Sequence, residues 1–425
     1  MDLIFKNIAT LRNGIFETMN VGVKNGKIHF VEDTEQAMRF IDGTNKALIP
    51  GLYNCHVHTP MSLLRGFAND LALEAWLFDY IFPAEERIKN TPNAIYVGAM
   101  LSIAEMLASG TIAFSEMYFG LPDIARAAEE SGVIADLSNA VISFDSNGYD
   151  YSKNIECQET LRILQEYHNA PHGRIKAVAS LHCAYTTHPE AWRQVSEFAK
   201  KHEISMHVHL SESVHEHNKC IEMFGKTPTQ VFAEYGVFDV PTIAAHACQV
   251  TDEDMQLLKK FDVTVAHNPV SNLKLASGIA PIAEMRARGL NVVIGTDGMA
   301  SNNSHDLFEE MKIASILQKY KQNDPTVLPA TSMLEMITIN GAKAQGRIGG
   351  LIEDGVSADL AMINLDSPRH TPHTNISTNL VYSATGADVE LTMCQGKVLY
   401  EKGEFTTIDI EKIKHEATKI ANKLI

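Results

Sequence analysis

Two short stretches pair histidines at alternate positions, His56-Val57-His58 and His207-Val208-His209. Alternate residues of a strand face the same side, so His56 and His58 can point at one ion. His209 is followed closely by Glu212, which suits a third ligand with an acid beyond it. His246, in Ala245-His246-Ala247, and Asp297, in Gly295-Thr296-Asp297-Gly298, each close a further apolar run. Taken singly, an H-x-H is a weak motif, and a strand-end Asp is more often a turn or cap residue. Together they converge on one mouth, and three neutral imidazoles plus one carboxylate drawn from them suit zinc and leave a position for water. Water held there would have its pKa lowered towards roughly 7, ready to attack at neutral pH.

The elements that must position these groups are legible around them. The apolar runs are IKAVAS (175–180), ISMHVHL (204–210), TIAAHA (242–247), VTVAH (263–267) and NVVIGTD (291–297). Helix-like segments such as PEAWRQVSEFAKKH and TDEDMQLLKKF lie between them, the second opening on Thr251 with Asp254 close to a capping box. Such alternation predicts βα units around a parallel sheet. The polar residue comes at the C-terminal end of its strand, the working end of a (β/α)8 barrel. A doubly wound sheet would need a Gly-rich phosphate turn, which is absent. Both chain ends read as short strands, with hairpin turns at Asn25-Gly26 and Gln395-Gly396. The expected architecture is α/β. Residues 51–350 form a (β/α)8 barrel; residues 1–50 and 351–425 form a small β-sandwich domain with a C-terminal helix.

Bulk properties exclude several classes of function. The 425 residues carry a formal charge of −16 and no basic cluster able to follow a phosphate backbone. Nucleic-acid polymers and anionic membranes are therefore poor partners, whereas a small nucleoside is not excluded. No apolar run approaches a membrane span, and the first residues lack an apolar leader core. Six scattered cysteines without a C-x-x-C pair fit reduced thiols, so a cytoplasmic location is expected, and a homo-oligomer is compatible with the composition. Cys55 reads as a small buried hydrophobe and Cys220 as a surface thiol. Met19, Met61, Met100, Met106 and Met117 read as core or pocket filling.

Longer stretches carry a resemblance. PGLYNCHVHTPMSLLRGFANDLALEAWL, IFPAEERI, HVHLSES, IAAHA, HNPVSNLKLASGIAP and IGTDGMASNNSHDLFEEM resemble the amidohydrolase superfamily, within it the 5′-methylthioadenosine/S-adenosylhomocysteine deaminase group. TINGAKAQGRIG and the Gly355-x-x-Ala358-Asp359-Leu360 stretch extend the likeness over essentially the full length. The resemblance implies a metal-dependent aminohydrolase acting on a cyclic amidine C–N bond of an adenosine-type nucleoside. It implies one Zn2+ per chain, with Fe2+ or Mn2+ as substitutes, held by His56, His58, His209 and Asp297. Glu212 would then move protons to the purine ring nitrogen, while His246 and Asp297 orient and deprotonate water. Glu85 and His182 would contact substrate, with Trp76 and Asn303 more loosely involved. Binuclear members use a carboxylated Lys at the fourth strand end; here that strand ends Ser180-Leu181-His182, which implies a single ion.

Two departures bear on the substrate. His182-Cys183-Ala184-Tyr185 stands where the family commonly has His-x-Pro-Tyr, and residues 132–161 contain no arginine and only Lys153 as a cation. A guanidinium fork is the usual partner of an amino-acid carboxylate. A small or uncharged 5′ group is therefore expected. The competing reading keeps the machinery and changes the pocket, giving a deaminase of guanine, a pterin or an s-triazine. A barrel that has lost its metal and serves only in assembly would show a broken ligand set, and this set is intact.

Overall fold

The computed structural model describes residues 1–168, 170 and 173–424. β1 (Leu3–Arg12), β2 (Ile15–Lys24) and β3 (Lys27–Phe30) form an antiparallel meander. Its turns fall at Asn13-Gly14 and Asn25-Gly26, whose φ values of 49° to 80° suit Asn and Gly. β4 (Arg39–Asp42) and β5 (Lys46–Pro50) both run parallel to β1, on either side of an irregularity that contains Asn7 (φ 54°). The sheet thus forks at β1.

A second sheet begins at once with β6 (Leu52–His58), followed by β7 (Thr111–Met117), β8 (Ile134–Ser138) and β9 (Ile175–Leu181). It continues through β10 (Met206–Leu210), β11 (Thr242–His246), β12 (Thr264–His267), β13 (Val292–Ile294) and β14 (Asp297–Gly298). Neighbours pair in parallel in chain order, and helices such as Pro189–His202 and Asp252–Lys260 connect them. β6, β7, β10 and β11 are buried along their whole length, as strands covered on both faces must be. β13 pairs with β12, whereas β14, only two residues later, pairs with β6. The sheet therefore curls until Asp297 and Gly298 lie beside Val57 and His58.

β15 (Leu360–Asn364), β16 (Val389–Cys394), β17 (Lys397–Glu401) and β18 (Glu404–Phe405) return to the first sheet. β15 pairs antiparallel with β5, so strands from both ends share one nine-stranded mixed sheet. Its own core contains Phe5, Val21, Ile28, Leu360 and Leu391. The hairpin turns of the two ends meet: a Cβ on Gly396 would lie 2.5 Å from the Gly26 Cα, which only glycine avoids. The closing helix Ile410–Leu424 packs on the helix Ala94–Ala108.

Local chemistry follows the sequence closely. Thr251 and Asp254 form a complete capping box. All six cysteines are unpaired and buried, Cys55 as expected. Cys220 is a correction: it lies fully buried in the main core with Trp192 and Phe232, because the helix Val214–Phe224 turns that face inward. Among the described residues no helix is long and apolar enough to cross a membrane.

Candidate metal centre and substrate cavity

Parallel strands end at a common rim, so their last residues converge. β6 brings His56 and His58, β10 brings His209, β11 brings His246 and β14 brings Asp297. Ligand atoms of His56, His58 and His209 lie within 4.8 Å of one another, and so do those of His56, His246 and Asp297. Asp297 Oδ1 is 3.1 Å from His58 Nε2 and 3.4 Å from His56 Nε2. The His56 ring stands nearly perpendicular to those of His58 and His209, at 82° and 89°, so the rings meet edge to face instead of stacking. Asp297 (φ 62°) and His246 (φ 74°) occupy the left-handed region, strain of a kind that persists at functional sites.

The donors fit a divalent ion. His56 Nε2 is buried without a hydrogen bond, a costly state that a cation would relieve. Burial pushes His56 down to about 3 and His209 well below its ordinary value, so both are neutral. Burial alone would raise Asp297, but the neighbouring imidazoles of His56 and His58 prevail and hold it well below the carboxylate range. His56, His209 and Asp297 are thus in the protonation states that binding needs. Burial would lower His58 as well, but hydrogen bonding to Asp297 prevails and holds it up to about 9, so an ion entering the site has to displace the His58 proton.

His56, His58 and Asp297, with His246 beside them, are held from behind. His58 Nδ1 donates to the Met117 carbonyl, and His56 Nδ1 hydrogen-bonds His207 Nε2 at 3.0 Å. Asp297 Oδ2 accepts from Ser271 Oγ at 2.6 Å and Ser301 Oγ at 3.2 Å. His246 Nδ1 lies 2.8 Å from Asn272 Oδ1. Such partners fix ring orientation and tautomer.

A cavity of about 390 Å³ opens over the centre, a volume suited to a small molecule. Glu212, Glu85, His182 and Trp76 all line it. Glu212 accepts from Ser277 Oγ on Oε1 at 3.1 Å, while its Oε2 lies 3.9 Å from His246 Nε2. Its backbone N–H donates to Glu216 Oε2 at 2.7 Å, anchoring the loop after β10. Glu85 comes from the helix Phe82–Lys89, and burial pushes its carboxyl up to about 7. His182 follows β9, 3.0 Å from Thr186 Oγ1 through Nδ1, with its ring 4.9 Å from that of His209. Burial pushes it down to about 3. Asn303 stands apart: its side chain accepts from Lys274, its carbonyl accepts from Arg65, and it is not part of the lining.

Several contributors escape a reading by spacing. His207 had a signal, because its H-x-H repeats that of 56–58 and period two puts it on the face of His209. Ser271, Ser301 and Asn272 had none. Ser271 and Asn272 reach the centre from the short helix Pro269–Lys274 and Ser301 from the turn after β14, and the curl of the sheet sets their separation from their partners. Met61 and Met117 line the cavity, as expected of pocket filling.

Residues 47–399 match the amidohydrolase family model. A 5-methylthioadenosine/S-adenosylhomocysteine deaminase of Dictyoglomus turgidum is 39% identical over 430 residues, covering 100% of this chain and 99% of that protein. A 5′-deoxyadenosine deaminase of Methanothermobacter thermautotrophicus is 41% identical over 384 residues, covering 90% and 89%. The crystal structure of an adenosine deaminase from Xanthomonas campestris with bound zinc superposes with a TM-score of 0.93 at 30% identity, covering 100% and 98%.

Proposed function

The chain belongs to the amidohydrolase family, and from that premise we propose that it is a mononuclear, metal-dependent hydrolytic deaminase of adenosine-type nucleosides. The reading includes a (β/α)8 barrel over 51–350 and a β-domain assembled from 1–50 and 351–425. One observation supports it: two overlapping clusters of donors, His56 with His58 and His209, and His56 with His246 and Asp297, lie at the floor of a nucleoside-sized cavity that Glu212 and Glu85 also line.

His56, His58, His209 and Asp297 would hold the ion, with zinc the best match to the donors. When bound, the ion supplies the Lewis acidity that makes water nucleophilic near neutral pH. The remaining work falls to the chain. His246 Nδ1 donates to Asn272, which leaves Nε2 facing Glu212 as an acceptor for the proton of the attacking water. Glu212, steadied by Ser277 and Glu216, protonates the ring nitrogen beside the attacked carbon. His246 then passes the proton it took from water to the exocyclic amine, which leaves as ammonia, and the second proton of water returns to Glu212 as the carbonyl forms. Glu85 accepts hydrogen bonds from the ribose hydroxyls, and neutral His182 hydrogen-bonds the nucleoside without adding charge. Trp76 supplies an aromatic wall. A bare base would leave Glu85 without a purpose, which weighs against guanine, a pterin or an s-triazine.

The test is a turnover panel of adenosine, 5′-deoxyadenosine, 5′-methylthioadenosine, S-adenosylhomocysteine and guanine, with metal counted on the active protein. About one ion per chain and turnover of nucleosides over guanine are expected. Preference for guanine, or two ions per active chain, would overturn the reading.

A further inference from the structure

The sheet that carries the candidate ligands closes on its shortest ladder. Among the described residues, its other neighbouring strands pair over three to five positions. β14 meets β6 at only two, Asp297 with Val57 and Gly298 with His58. His56 and His58 stand on one side of that joint and Asp297 on the other. A bound ion tolerates only roughly a few tenths of an ångström in its ligand distances, so side chains have to finish what so short a ladder leaves loose.

A buried chain of hydrogen bonds spans the joint, and its directions are fixed. Ser102 Oγ, on the helix Ala94–Ala108, donates to the Thr59 carbonyl at 2.7 Å. With its proton committed there, the same oxygen accepts from His305 Nε2 at 2.9 Å. Nδ1 of that ring is then an acceptor, and Thr296 Oγ1 donates to it at 2.8 Å. Thr296 Oγ1 accepts in turn from Asn54 Nδ2 at 2.7 Å, and Asn54 Oδ1 takes the Thr296 N–H at 3.0 Å. Thr59 follows His58, Thr296 precedes Asp297, and Asn54 lies on β6 two residues before His56. Ser102, His305, Thr296, Asn54 and Thr59 are all wholly buried, so losing one member would leave its neighbours unpaired away from water. Burial also pushes His305 down to about 4, which keeps the ring neutral with one donor and one acceptor. The ends of the chain are themselves anchored. Thr59 N–H reaches both carboxylate oxygens of Glu116, at 3.0 and 3.1 Å, and the His305 N–H donates to Glu105 Oε1 at 2.9 Å.

We propose that His305 is a positioning residue of the metal centre: its one imidazole couples the His58 segment to the Asp297 segment and sets the spacing between those two ligands. It is not part of the cavity lining, and it acts through Thr59 and Thr296. The inference rests on the metal-centre reading above and is independent of which nucleoside is turned over.

The test uses the full chain, stripped of metal and titrated with Zn2+ against a chromophoric chelator. His305→Leu should weaken Zn2+ affinity about tenfold or more. His305→Gln keeps an acceptor and a donor on one side chain and should recover part of that loss. Ser102→Ala cuts the same chain at its other end by removing a single oxygen, and it too should weaken affinity. Added to His305→Leu it should bring no further loss, because both changes break one chain. Co2+ in place of Zn2+ supplies a signature that packing alone would not move. Its visible absorption follows the arrangement of the ligands, so it should shift in His305→Leu and Ser102→Ala and return towards the parent's in His305→Gln. Losses that multiply in the double variant, equal losses in the Leu and Gln variants, or Co2+ spectra identical to the parent's would each overturn the coupling role and leave the centre standing. Should His305→Leu fail to fold, Ser102→Ala decides alone: unchanged Zn2+ affinity with an unchanged Co2+ spectrum overturns the proposal. A parent that binds no divalent ion overturns the metal-centre reading and this inference with it.

Discussion

The floor and the mouth of the cavity are built by different means. At the floor the candidate metal-binding side chains come from strand ends and are largely or wholly buried. Most are gripped from behind by a named partner such as His207, Met117 or Ser271, with Glu212 on the loop just beyond β10. At the mouth the side chains come from a helix and loops, and Lys89 and Phe144 are 48% and 68% exposed. Rigid, desolvated geometry is what a bond-breaking step requires, because misplacement by an ångström is expensive there. Selection among 5′ groups needs only complementary charge and cover, which exposed side chains supply. The comparison predicts that changes at the floor act on the reaction for every substrate, and changes at the mouth act on the choice of substrate.

The largest effect should come from Asp297→Asn. It removes the anionic ligand and leaves Ser271 and Ser301 bonded to a weaker acceptor, so ion content and turnover should fall together, the latter by about a thousandfold or more. Metal analysis beside steady-state kinetics checks it. Glu212→Gln should keep the ion and lower kcat at least about a hundredfold, since a proton carrier is lost and no ligand is. Near-normal turnover in that variant would remove Glu212 from the chemistry.

A step behind the floor the effect should shrink. His207 touches no substrate, yet it fixes the ring of His56. His207→Leu should weaken ion affinity by roughly ten- to a hundredfold, measured by competition with a chelator. His207→Gln, which can still hydrogen-bond, should recover part of that loss. Equal losses in the two variants would mean that packing, not orientation of His56, is what His207 contributes.

The floor was far more legible in the sequence than the mouth, for a physical reason. A strand has period two and a fixed end, so H-x-H and a terminal Asp declare both face and rim, and His56, His58, His209, His246 and Asp297 converge as their spacing implied. Asn25-Gly26 and Gln395-Gly396 declared their turns in the same way, though not that they would touch. The mouth depends on contacts between segments distant in the chain. Residues 132–161 bring Ile142, Phe144 and Glu156 to the lining, while Lys89 enters it from the helix that carries Glu85. Asn303 lies outside the lining. Its neighbours Ser301 and Asp297 are in the lining, but its positive φ of 78° carries the backbone onward, and the side chain bonds Lys274 instead.

Glu85 stands between floor and mouth and offers the subtlest test of the comparison. Burial pushes its carboxyl up to about 7, with Tyr118, His58 and Lys89 each pulling part of the way back. The fold therefore favours the protonated form. Its contribution to stability is complete below the ordinary carboxylate pKa and is lost as pH rises through about 7. Ribose hydroxyls are donors that want the ionised form, so binding should gain over the same interval. KM for a nucleoside should fall about five- to tenfold between pH 6 and pH 8, a span set by the titration of one group. Glu85→Gln should raise KM and flatten that dependence, with the ion retained. Lys89→Met removes one of the charges that lower the Glu85 pKa, so the midpoint of the KM profile should move to higher pH in that variant. A parent whose KM is flat from pH 6 to pH 8 would show that Glu85 binds in one protonation state throughout, and ribose recognition would then have to be assigned to another residue of the lining.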